Sequence, residues 1–120
     1  MTTYGDCGTE TASVAGTKTL LATLTMLPGD NYTIKKFRLS AGNISANEPP
    51  APGFITVEID KVSGPFLFPV FSALGIVTSG ASVTRAEEID VDIPVPGNAT
   101  VKIWITTKYA LEFVAGMIYV

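Results

Sequence analysis

The chain of 120 residues has no histidine and one cysteine, Cys7. It also has no phosphate-cradling glycine motif and no run of basic residues. Histidine is the usual general base and the commonest metal ligand near neutral pH. Without it, most small-enzyme mechanisms lose their proton carrier. No G-x-S-x-G elbow and no local S-x-x-K motif is present to activate a serine. One cysteine cannot form an internal disulfide. Within Gly5-Asp6-Cys7-Gly8 it reads as an inert thiol, with an intermolecular contact as the alternative. Charged residues make up 16% of the chain, against a typical ~25%. The net charge of −3 lacks the electrostatic footprint of a nucleic-acid binder. No apolar run reaches the ~18 residues of a membrane helix. The longest, Pro65 to Val77, is broken by Pro69 and Gly75. The first residues lack the basic end and apolar stretch of a secretory signal, so synthesis in the cytoplasm is expected.

What is there is a series of short alternating segments punctuated by Pro, Gly and Asn. The length fits one domain with a real core. Residues 1–16 are small and polar and read as an N-terminal arm; residues 17–120 read as the domain. Too few apolar groups occur in the arm to offset an ordering cost of about 1–2 kcal/mol per residue. An ordered arm therefore needs a sheet edge, in its own domain or, as the favoured reading, in a neighbouring chain. Strand signals run from Thr17 to Met26 and from Tyr32 to Ser40, joined by a Pro28-Gly29 turn. In the second segment Ile34 is out of phase with Phe37 and Leu39. A β-bulge at Lys35 and Lys36 would return all three to one face.

Further strands are expected at Phe54–Val62, Phe66–Thr78, Glu88–Ile93, Ala99–Thr107 and Leu111–Val120. Their inward rows predict a core of Ile55, Val57, Ile59, Ile89, Val91, Ile93, Val101, Ile103 and Ile105. Pro69 marks Phe66–Thr78 as an edge strand or a long crossing segment. The count of about seven or eight strands, with no sustained helical period, predicts an all-β fold, a single antiparallel β-sandwich. The long crossings at 41–53 and 66–82 favour a jelly-roll or Greek-key type over a meander.

Several residues stand out as sites. Asp90 and Asp92 share a strand face and could bind Ca²⁺ with loop carbonyls or, paired with Glu87 or Glu88, serve glycoside hydrolysis. The stronger reading is a solvated strand face with Lys102 or Lys108 opposite, and neither a metal nor another cofactor is expected. Trp104 is expected on the wet face of its strand, between Lys102 and Thr106. There it would anchor a subunit interface, stack on a sugar, or lie under a loop. Tyr109, Phe66, Phe68, Phe71, Tyr4 and Cys7 join Trp104 as interface residues. Asn31, Asn43 and Asn98 begin sequons that fall in predicted turns. With this much serine and threonine, chance is the leading explanation.

The stretch Leu24 to Ser40 runs strand, Pro-Gly turn, then a strand of bulky apolar and basic residues. Phe54–Val62 then alternates, and Val95-Pro96-Gly97-Asn98 turns the chain into the final strands, Val101–Tyr119. In this layout the chain resembles the small β-sandwich structural proteins of virus and phage particles. The resemblance spans about residues 17–120 and transfers no catalytic or binding residue. It implies a non-enzymatic virion protein of capsid-associated, decoration, spike or tail type. Such a protein would have copies of itself and other virion proteins as partners, with no nucleic acid and no membrane. A carbohydrate-binding module that uses Trp104 and tyrosines on a glycan is one alternative. A filament or pilus subunit on the extracellular surface is another.

Overall fold

The computed structural model describes residues 2–44, 53–62, 64–70, 83–107 and 112–120. Among these residues there are nine strands and no helix: β1 (Tyr4–Cys7), β2 (Thr11–Ala12), β3 (Thr19–Thr25), β4 (Asn31–Ile44), β5 (Gly53–Ile59), β6 (Phe66–Val70), β7 (Val83–Pro96), β8 (Thr100–Thr107) and β9 (Glu112–Tyr119). Sheet A has the order β1-β9-β4-β7, with β2 also pairing β9. Sheet B has the order β3-β8-β5-β6. Every pairing is antiparallel. Apart from the β5–β6 hairpin, each step from β2 onward crosses to the other sheet. Strands β2 to β9 thus form a double-sheet jelly roll of two Greek keys, with β1 as a ninth strand.

The alternation of apolar residues accounts for the core between the sheets. Ile55, Val57 and Ile59 on β5 and Val101, Ile103 and Ile105 on β8 are buried, as their period of two requires. From sheet A they meet Phe37, Leu39, Phe113, Ala115 and Met117. On β7, Ile93 and Val95 are buried, but Ile89 and Val91 are only half-buried against the core. They lie on an edge strand, where one flank has no neighbour among the described residues.

The phase slip in β4 is a bulge. Its register against β7 and against β9 shifts between Ile34 and Lys36. The shift puts Ile34, Phe37 and Leu39 on the core side, all buried. A second irregularity, between Leu20 and Ala22, lets β3 bury Leu21, Ala22 and Leu24 while Leu20 faces out.

The arm finds its hydrogen bonds on its own chain. Tyr4 to Cys7 pair with Tyr119 to Gly116, and Thr11 and Ala12 pair with Phe113 and Glu112. Between them, the Gly8 amide donates to the Ala115 carbonyl at 2.9 Å. The neighbouring-chain reading is therefore replaced by pairing to β9. Tyr4 is the arm's anchor. Its ring stacks on Tyr119 at 5.3 Å and meets Tyr32 edge-on at 6.0 Å. Two glycines make the seat. A Cβ on Gly116 would stand 2.8 Å from the Asp6 carbonyl oxygen, and one on Gly8 would stand 2.8 Å from the Ala22 Cβ. The arm thus runs along β9 and touches β3, closing the sandwich on that side.

At the arm's far end Glu10 shares a hydrogen bond with Glu112, and that bond, with the charge repulsion beside it, raises the Glu10 carboxyl above its ordinary value. The docked arm therefore binds this proton more tightly than the undocked arm would. This contribution is complete below the ordinary carboxylate value and is lost as pH rises through the raised one. Protection of the Gly8 amide from hydrogen exchange, corrected for intrinsic rate, should fall over that window. Glu10→Gln should flatten the dependence; an unchanged slope would remove the carboxyl pair as its cause.

Candidate functional site

The two sheets present opposite outer surfaces. On sheet A, the outward positions of β4 and β7 form a ladder of ion pairs. Lys35 Nζ lies 2.7 Å from Asp92 Oδ1, Lys36 Nζ 2.9 Å from Glu88 Oε2 and 3.5 Å from Asp90 Oδ1, and an Arg38 guanidinium nitrogen 2.9 Å from Glu88 Oε1. The hydrogen bond from Lys36, ahead of its charge and of the bond from Arg38, holds the Glu88 carboxyl below its ordinary value. The same bond raises Lys36. These pairs are exposed and each adds little to stability. Their effect is to fill the carboxylates' bonding capacity from one side.

The basic partners differ from those expected. Lys102 lies on sheet B, in register with Glu58, and Lys108 lies outside the described residues. The acids are instead opposed by β4, because the bulge turns Lys35 and Lys36 both toward β7's outer row. Among the described residues, no three His, Cys, Asp or Glu side chains gather to hold a metal ion.

Beside the ladder, Gly5, Cys7, Arg38, Ser40, Glu88 and Gly116 border a shallow groove of about 560 Å³. Cys7 is exposed at its rim and carries no disulfide.

Sheet B's outer surface carries a largely apolar row beside the charged side chains of Lys18, Glu58 and Lys102. Leu20, Trp104, Thr56 and Leu67 stand in register across β3, β8, β5 and β6. Leu67 is 62% exposed, Phe54 41% and Leu20 37%. Phe54 pairs with Thr106 on one side and Pro69 on the other. Exposed Val14 lies next to this row, its amide bonded to Thr19 Oγ1 at 3.0 Å.

Trp104 is half-buried at the centre of the row. Lys18 Nζ sits 4.4 Å from its ring centroid and also pairs with Glu58 at 3.1 Å. A cation over the ring is attracted by its quadrupole. It also occupies a face on which a sugar would stack. The Trp104 Nε1 is buried with no partner among the described residues.

The other singled-out residues divide between surfaces. Phe66 and Phe68 turn inward and pack against the core, Phe68 5.8 Å from the Phe37 ring. In that run it is Leu67, between them, that faces solvent. Tyr4 is spent on the aromatic cluster that seats the arm. Phe71 and Tyr109 lie outside the described residues. Of the sequon asparagines, Asn98 is exposed in a turn at φ 63°. Asn31 is exposed at the start of β4, and Asn43 falls within β4, not in a turn. The cross-strand row escaped the sequence because Leu20, Thr56 and Leu67 sit on different strands. Only Trp104, in a strand with clean alternation, revealed the surface.

No protein-family model matches the chain, and no curated protein matches it. Among solved structures, a chain from "Structure of infectious bursal disease virus Gx strain" aligns over 99% of this chain with a TM-score of 0.44 and 9% identity. One from the Gt strain aligns over 98% with a TM-score of 0.42 and 10% identity. This chain spans 32% of the length of each. At these scores the likeness carries no inference about residues or function.

Proposed function

We propose that the protein is a non-enzymatic structural subunit of a virion, which associates with copies of itself or with other virion proteins through the outer face of sheet B. The observation that carries the assembly reading is the row of Leu20, Trp104 and Leu67 across that sheet, with Thr56 between Trp104 and Leu67 and Phe54 beside it. The water-exposed side chains of Leu20 and Leu67 in this row, and of Phe54 two residues before Thr56, gain by being covered, at roughly 25 cal/mol per Å² of apolar area. The opposite face, with its filled ion-pair ladder, offers no such gain. The virion setting rests on the sequence layout described above and on the jelly-roll order of the strands.

A glycan platform is less well supported, because Lys18 occupies a face of the Trp104 ring. Sedimentation of the full chain tests the reading. The chain should form a defined oligomer, and the double substitution Leu67→Lys, Phe54→Lys should weaken association by at least about tenfold. Circular dichroism should be unchanged, since both side chains point out of the core. A full chain that stays monomeric up to high concentration, or a double variant that assembles normally, would refute self-association through this face.

A further inference from the structure

The registers of sheet B set its outward side chains on a grid. One row runs Leu20, Trp104, Thr56, Leu67 across β3, β8, β5 and β6. On one side of it lie Thr106, Phe54 and Pro69, and on the other Thr23, Lys102 and Glu58. Strands stand about 4.8 Å apart and rows about 7 Å. The centre line of the grid runs along the strands between β8 and β5. Residues at matching places on either side of this line complement one another. Trp104 matches Thr56, Phe54 matches Thr106, Leu20 matches Leu67, and Lys102 matches Glu58.

The edges of the same sheet do not favour side-by-side growth. On the edge strand β6, Pro69 removes a donor. At the other edge the arm crosses β3, where a Cβ on Gly8 would stand 2.8 Å from the Leu21 carbonyl oxygen. Association of this sheet therefore falls to its face.

We propose that the face packs on the same face of a second copy, about a two-fold axis that runs along the strands between β5 and β8. This pairing rests on assembly through sheet B and adds to it a partner and a register. The axis sets each residue against its match in the second copy. Trp104 enters the dip left by Thr56, which is small and only 6% exposed between larger neighbours. Phe54 meets the smaller Thr106, and Leu20 and Leu67 cover one another. Lys102 makes no ion pair among the described residues. It comes against Glu58 of the second copy, where Lys18 engages Oε1 and leaves Oε2. A tilt of the axis by about 15° from the strands gives the ~30° usual between aligned sheets. An axis across the strands is poorer. It would set Trp104 on Trp104 and Phe54 on the charged Glu58, and burying a charge against an apolar ring is costly.

The test uses the full chain with Cys7→Ser, into which Leu20→Cys and Leu67→Cys are introduced separately. Facing sheets pack about 10 Å apart, within reach of a short bis-maleimide. Two copies of one position would be displaced sideways by a further three strand spacings, about 14 Å. A mixture of the two variants should therefore give a covalent dimer on a denaturing gel, and neither variant alone should. Lys102→Glu and Glu58→Lys should each weaken association by at least about tenfold, with unchanged circular dichroism spectra. Mixing them should restore it, because only the mixed pair opposes unlike charges at both contacts. Cross-linking of either cysteine variant with itself, or no recovery on mixing the charge variants, would overturn the two-fold arrangement. If Leu67→Lys with Phe54→Lys still weakens association in that case, assembly through sheet B stands without it. A full chain that stays monomeric would overturn both.

Discussion

Ile103→Ala is expected to lower the unfolding free energy by about 2–5 kcal/mol. Ile103 is 1% exposed at the middle of β8. It stands in register between Ala22 of β3 and Val57 of β5, both buried. Strands fixed on both sides cannot close in on the space that a truncated side chain leaves. The cost therefore includes a cavity as well as lost transfer energy. Urea denaturation followed by circular dichroism measures it, with an unchanged slope showing that the unfolded state is the same. A loss under about 0.5 kcal/mol would be typical of a surface site and would contradict the packing described.

Removal of residues 1–14 is the second large effect. It deletes the pairing of Tyr4–Cys7 and of Thr11–Ala12 with β9. It also takes the Tyr4 ring away from Tyr32 and Tyr119. The loss of ring burial and of the two aromatic contacts should cost about 2–4 kcal/mol. The truncated chain should still fold, because every remaining strand keeps at least one partner, β9 its pairing with β4. Because the arm lies on its own chain, the loss should appear in the stability of a single subunit, at concentrations where no oligomer forms. Equal stability of truncated and full chains would show that the arm does not hold β9 in solution.

Where the sequence was informative, it was so through local period. The slip at Lys35 and Lys36 exposed the bulge, because a period of two leaves no other way to bury Ile34 with Phe37 and Leu39. The β5 and β8 rows were legible for the same reason. Pairing across strands was not. Nothing in Thr56 marks it as a residue 6% exposed on an outer face; that follows from its place between Trp104 and Leu67. Likewise, the cations opposite Asp90 and Asp92 come from a strand more than fifty residues earlier in the chain. The arm escaped because backbone hydrogen bonding needs no particular side chains, and its one anchor, Tyr4, works only once Tyr119 is in place. Strand ends were also hidden: β7 begins at Val83, ahead of the alternating part from Glu88.

The pairing of the arm and β4 with β9 has a consequence for how the protein is made. β9 follows every other strand in the chain, yet it lies between β4 and the arm in sheet A. While the ribosome is still working, β4 has β7 on one side only and the arm has no partner at all. Sheet B faces the same delay on a smaller scale, since β8 separates β3 from β5. The nascent chain therefore carries open strand edges until β9 emerges, and sheet A can close only after that point. Pairing of this long sequence separation slows folding and lengthens the exposure to aggregation.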